Sequence, residues 1–140
     1  MRFIKRYWLL LLITGITVFS FLIRVLPNWN TVFTSSGVRF VDYDSIYYRR
    51  LIEVDWLSFP KFMTFDYYAL PGGAQVFYTP FISWVSISIG YIIRFVDIIR
   101  PFRFGSSMPD LETVLAVAVL IPPVLGALIT VPIYYIGKLT

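Results

Sequence analysis

Asp42-Tyr43-Asp44-Ser45-Ile46-Tyr47-Tyr48-Arg49-Arg50-Leu51-Ile52-Glu53 is the densest cluster of ionisable side chains in a chain of 140 residues, 58% of them hydrophobic and 14% charged. Long apolar runs flank it on both sides. A soluble domain usually carries about 25% charged residues, well above the fraction here. The reading is an all-α integral membrane protein, with the acidic stretch held between two crossings.

Composition removes several kinds of chemistry. Without Cys there are no disulfides or thiolate metal sites, and without His the usual base near neutral pH and the commonest metal ligand are gone. Carboxylates, Arg, Lys, Tyr or a bound ion must then do the work. The net charge of +4 is ordinary for cytoplasmic flanks of membrane spans, so no nucleic-acid partner is expected.

Upstream of the cluster, Arg2, Lys5 and Arg6 precede an uncharged run from Tyr7 to Ile23. Seventeen residues at a rise of about 1.5 Å nearly cross a hydrocarbon core, with Arg24 snorkelling to the far side. Tyr7 and Trp8 stand where one aromatic belt belongs and Trp29 where the other does. A cleaved signal peptide expects a small-x-small site, which Leu26-Pro27-Asn28-Trp29 does not offer. The expected organisation is a cytoplasmic segment 1–6, a span 7–26 and an extracytoplasmic loop 27–112. From Asn28 to Val41 that loop reads as polar, with Thr34-Ser35-Ser36-Gly37 as a turn signal.

Downstream, the acidic motif 42–53 predicts a helix capped by Asp44 or Ser45 and running to about Trp56 or Leu57. Tyr47, Leu51 and Val54 would share one face, and Arg49 and Glu53 would pair at i, i+4. Residues 60–80 read as an aromatic-rich loop, in which Leu70-Pro71-Gly72-Gly73 forms a turn with positive-φ glycines. The apolar stretch 77–96 carries a small and polar stripe of Thr79, Ser83, Ser86, Gly90 and Arg94. That stripe suits a helix lying in the interface or packed on a larger body. The loop 97–112 is nearly neutral. The span 113–136 follows, bent by Pro122, Pro123 and Pro132, with Gly126 and Ala127 as a close-approach point. Lys138 in the segment 137–140 is a cytoplasmic flank. With both ends inside, the number of spans is even, which keeps 77–96 in the external loop.

Two readings of the cluster stand side by side. In one, Asp44, with Asp42 as a weaker second, ligates a divalent cation through hard carboxylate oxygens. In the other, Asp44 is a helix cap, Asp42 a solvated loop residue and Arg49 and Arg50 surface charges. Spacing alone favours the second, because Asp is a preferred cap and short acidic pairs are common. Arg49 or Arg50 could bind phosphate, but a salt bridge to Glu53 or Asp55 is the simpler account.

The order of parts resembles the N-terminal part of the oligosaccharyltransferase catalytic subunit, especially its archaeal branch. Residues Asp44 to Glu53 are similar to that family's first external acidic motif. Leu70-Pro71-Gly72-Gly73 through Tyr78-Thr79-Pro80 resembles a later segment of the same loop. Pro122 to Leu128, continuing to Val131 to Gly137, is similar to the second span. Ser45 replaces the usual Pro, Tyr48 stands where relatives often have His, and a later metal-binding His is missing.

The resemblance implies two transmembrane helices flanking a long external loop with one or two extra helices, as a fragment of a polytopic GT-C-type glycosyltransferase. It implies transfer of a lipid-linked oligosaccharide to Asn of Asn-x-Ser/Thr sequons at the cell membrane, with Mn²⁺ or Mg²⁺ as cofactor. Asp44 would lie by the metal and the acceptor amide. The partners would be the lipid-linked donor, the acceptor polypeptide, membrane lipid and the remainder of the enzyme or a partner chain. Alone, the chain is expected to be inactive. Two other functions are compatible with the residues: another glycosyltransferase using a lipid-phosphate sugar, and a small non-enzymatic membrane subunit.

Overall fold

In the computed structural model the described residues are 2–69, 71–99 and 110–139, with side chains for 7–69, 71–96 and 110–139. The side chains of Arg2, Lys5 and Arg6, the turn residue Leu70 and most of the near-neutral loop 97–112 lie outside them. The chain divides into two compact units, Met1–Phe33 with Val119–Thr140, and Thr34–Ala118.

The first unit is built from the apolar runs. Helix α1 spans Arg2–Val25, a stretch with no proline and a single glycine, Gly15. A 3-10 turn, Leu26–Asn28, carries Pro27 in its first turn. There the missing N–H has no helical partner to lose. The chain therefore stays helical into a short α2, Trp29–Val32, with Trp29 packed on Phe33 at 4.4 Å between ring centroids. The apolar helical run extends from Tyr7 to Val32, 26 residues. It is longer than the expected span 7–26 and takes in part of the loop expected to be polar. Most of the described side chains along α1 are exposed, Trp8 at 72% and Phe19 at 65% among them. A helix that is apolar all round and still uncovered suits lipid neighbours.

The second apolar run forms α5, Leu111–Leu128, whose residues up to Ala118 belong to the other unit, and α6, Thr130–Leu139, together 29 residues from end to end. Of the three prolines expected to bend this run, two, Pro122 and Pro123, do not end the helix. Both prolines sit inside α5. The interruption falls at Ile129, where the third, Pro132, acts: a proline ring clashes with the carbonyl four residues back, here that of Leu128. Hydrogen bonds from Ile129 N to Leu125 O and from Ile133 N to Ile129 O, both 3.2 Å, carry the ladder past it. Helix α6 packs on α1. Arg24 stands in the last turn of α1. It donates back to the Ser20 carbonyl at 2.8 Å and to the Ser20 hydroxyl. Its Nε lies 3.2 Å from where a side chain on Gly126 would begin.

The second unit holds the acidic stretch. Strands β1, Phe33–Thr34, and β2, Gly37–Val38, form a hairpin at its start. Helix α3 covers Tyr43–Ser58. Strands β3, Phe65–Asp66, and β4, Ala74–Gln75, pair antiparallel. Their connection takes Gly72 and Gly73 at φ of 98° and 81°, the positive values expected for this turn. Helix α4, Phe81–Ile99, packs on α3.

The small stripe of α4 explains that packing. Ser83, Ser86 and Gly90 are buried together with Ile87, whereas Phe81, Trp84, Ile92 and Phe95 are exposed. Small side chains let the two backbones approach, and the bulky apolar groups are left facing outward. On α3 the buried residues are Leu51, Ile52 and Asp55, so the expected face of Tyr47, Leu51 and Val54 is rotated by about one residue. Asp55 tolerates burial because the Met63 amide donates to it at 2.8 Å. Phe59 and Phe62 lean on Trp84 of α4, and Phe59 also on Tyr91.

Candidate functional site

The first turn of α3 sorts the two acidic residues. Asp42 is the N-cap: its carboxylate accepts from the Tyr43 amide at 3.0 Å and from the Ser45 backbone N–H. The Ser45 hydroxyl reciprocates by accepting from the Asp42 amide at 2.9 Å. This closes a capping box with Ser in the position more often held by Glu or Gln. The cap is therefore Asp42, neither Asp44 nor Ser45 alone, and its side chain stays exposed while it caps.

Asp44 is one position inside the helix and exposed. Its Oδ1 lies 3.4 Å from the Tyr78 hydroxyl, a long contact that Tyr78 donates. The negative charge of Asp44 pushes the Tyr78 phenol above its ordinary value of 10.0, with desolvation and the hydrogen bond adding to it. Tyr78 is steadied by two rings of α3, Tyr48 at 4.8 Å edge-on and Tyr47 at 5.4 Å.

Below this corner stands a third carboxylate. Asp66 is fully buried and accepts from Arg50 at 2.7 Å and from the Tyr68 amide at 2.9 Å. The Arg50 guanidinium also covers the Tyr68 ring at 5.1 Å. Burial, then the charge and hydrogen bonding of Asp66, raise the Tyr47 phenol above 10.0, and Arg50 offsets part of that rise. Arg49 pairs with Glu53 at 2.8 Å, the i, i+4 contact its spacing predicts. Asp55 pairs with neither arginine.

Sequence reasoning did not single out Asp66 or the hydroxyl of Tyr78. Asp66 lies 16 residues from Arg50, a separation that no helical or strand period links. The available signal is chemical: Asp66 is a lone acid in an aromatic loop, where an unpaired charge is costly to bury.

Carboxylate oxygens suit a hard divalent cation. Among the described residues, however, no group of three or more acidic side chains comes together. At this corner the described residues contribute one carboxylate, or two if Asp42 gives up capping, and no complete coordination sphere.

The family described as Oligosaccharyl transferase STT3, N-terminal, matches residues 15–140. The chain belongs to the oligosaccharyltransferase STT3 family. A relative within it, "Dolichyl-phosphooligosaccharide-protein glycotransferase 3" of Archaeoglobus fulgidus, is 31% identical over 137 residues. That alignment covers 96% of this chain and 14% of the relative, so the chain spans about one seventh of the curated protein it matches. No solved structure matches the chain. Within the STT3 family the residues from Asp42 to Glu53 fall inside the matched N-terminal region. The two long apolar helices agree with a membrane location.

Proposed function

We propose that this chain is the N-terminal part of a membrane oligosaccharyltransferase that transfers a lipid-linked oligosaccharide to the side-chain amide of Asn in Asn-x-Ser/Thr sequences. The observation that carries the reading is Asp44: in a chain of this family, it is an exposed carboxylate on the first turn of a helix whose capping is done by its neighbour. Asp44, with Asp42 as the weaker second, would hold a divalent cation, Mn²⁺ or Mg²⁺. When bound, such an ion neutralises charge developing on a diphosphate leaving group.

In the reaction the acceptor nitrogen bonds to the anomeric carbon as the bond from that carbon to the diphosphate oxygen breaks. The amide proton passes to a base. Asp44 is suited to accept a hydrogen bond from the acceptor amide and so orient it. The Asp42 cap fixes the turn on which Asp44 stands. Arg49 and Arg50 have a structural role, since each is engaged by a carboxylate of this chain. The remaining ligands come from other parts of the transferase or from a partner chain.

The flanking charges support a topology with residues 1–6 and 137–140 cytoplasmic and 27–112 outside. Lys138 in the last turn of α6 and the basic N-terminus are what the positive-inside rule uses. The family and the helical content also agree with the GT-C-type reading of the fold.

The test is Asp44→Asn in a complete transferase carrying this segment, read by glycopeptide formation on a fluorescent acceptor. A fall of at least about 100-fold is expected, in the range seen when a group acting on transition-state charge is removed. Retained activity overturns the assignment.

A further inference from the structure

We infer that Glu112 is a positioning residue that ties the start of the second apolar helix to the acidic helix. Glu112 stands in the first turn of α5, and its carboxylate accepts from the backbone amide of Val38, 74 residues earlier, at 2.9 Å. Val38 is buried, so its amide needs a partner inside the protein, and Glu112 is that partner. The carbonyl of the same residue faces α3: Arg49 Nη1 reaches it at 3.5 Å, while Arg49 Nε holds Glu53 at 2.8 Å. One residue, Val38, thus links the head of α5 to the middle of α3 through its N–H and its carbonyl.

The hairpin is shaped for this contact. Gly37 adopts φ of +115°, and a Cβ there would meet the Glu112 carboxylate oxygens at 2.8 and 2.9 Å. Only glycine takes that backbone comfortably and leaves room for the carboxylate. The Thr34 hydroxyl closes the turn by donating to the Gly37 carbonyl at 2.8 Å.

A carboxylate in a helix's first turn is also favoured by the helix dipole alone, and the two roles separate by substitution. Glu112→Gln removes the charge and keeps an acceptor oxygen; Glu112→Ala removes both. Under the positioning role, Glu112→Ala speeds exchange of the Val38 amide at least tenfold in the full chain in lipid nanodiscs, read by NMR. The acceleration should extend to residues 46–53 of α3, and Glu112→Gln should restore most of the protection. Gly37→Ala, with Glu112 intact, should give the same pattern as Glu112→Ala and serves as the second variant if that chain does not fold. The inference fails if Val38 exchange is unchanged, if the acceleration stops short of α3, or if Gln behaves as Ala. The exchange measurement needs no activity. Loss of the transferase reading leaves this arm standing, and failure of this arm leaves Asp44→Asn untouched.

Discussion

Asp44 and Asp66 belong to one unit, and their surroundings differ in every respect that matters to a carboxylate. Asp66 is fully buried and bound by a guanidinium and a backbone amide. Asp44 is exposed, with one long contact from Tyr78. The first is committed to the fold, and taking it away leaves a cation and an N–H without their acceptor. The second is attached to the fold through its backbone and that one long contact. Stability and chemistry are thereby assigned to different acids of the same type, and substitution can pull them apart.

The largest difference should come from Asp66→Ala. Breaking a buried pair costs about 3–5 kcal/mol, and because Arg50 keeps partial access to water the expected loss is about 2–3 kcal/mol. Asp44→Ala, by contrast, should move stability by no more than about 0.5 kcal/mol. Denaturant midpoints in a fixed detergent would show both, and equal losses would erase the distinction.

Gly73→Ala should follow at about 1–2 kcal/mol, the range for a residue forced into a sparsely populated backbone region. Gly73 sits at φ 81°, and an added Cβ would fall against the Phe65 ring in the turn that presents Asp66. The same denaturation series reads it, with Gly72→Ala, whose Cβ meets nothing, isolating the backbone share.

Asp42→Ala should cost about 1 kcal/mol, the usual worth of an N-cap. It should fray the first turn of α3, seen as faster exchange of the Tyr43 and Ser45 amides. Asp42→Asn should recover most of the loss, because Asn caps as well.

The smallest effect is on pH dependence. A phenol held above 10.0 favours the neutral form in the folded chain. The stability this contributes is present below about pH 10 and is lost as pH rises through the folded value of Tyr78. Asp44 is the largest cause of that rise, so Asp44→Asn should bring the Tyr78 midpoint down towards 10. The difference in tyrosinate absorbance between each parent and its Tyr78→Phe derivative measures it. No movement would mean that Asp44 and Tyr78 do not share a corner in solution.

How much of this was legible beforehand follows from the range of each interaction. The helix at Tyr43–Ser58, the Arg49–Glu53 pair and the glycine turn are set by neighbours within about four residues, and they read directly from spacing. The stripe on α4 was visible as a stripe, yet only the packed α3 shows that its small side points inward. The cap moved from Asp44 to Asp42 because Ser45 can close the box with the residue three positions earlier, a geometric choice that composition leaves open.

By itself, the sequence determined the two apolar runs, the acidic helix between them and membership of the STT3 family, all of which are local or cumulative properties of the chain. Only the tertiary structure decided that Asp66 is the partner of Arg50, that Glu112 takes the Val38 amide and that Asp44 is the acid left exposed. Those outcomes depend on groups 16, 74 and 34 residues apart meeting in space. Burial then forces the first two to find partners, while the third remains in contact with water.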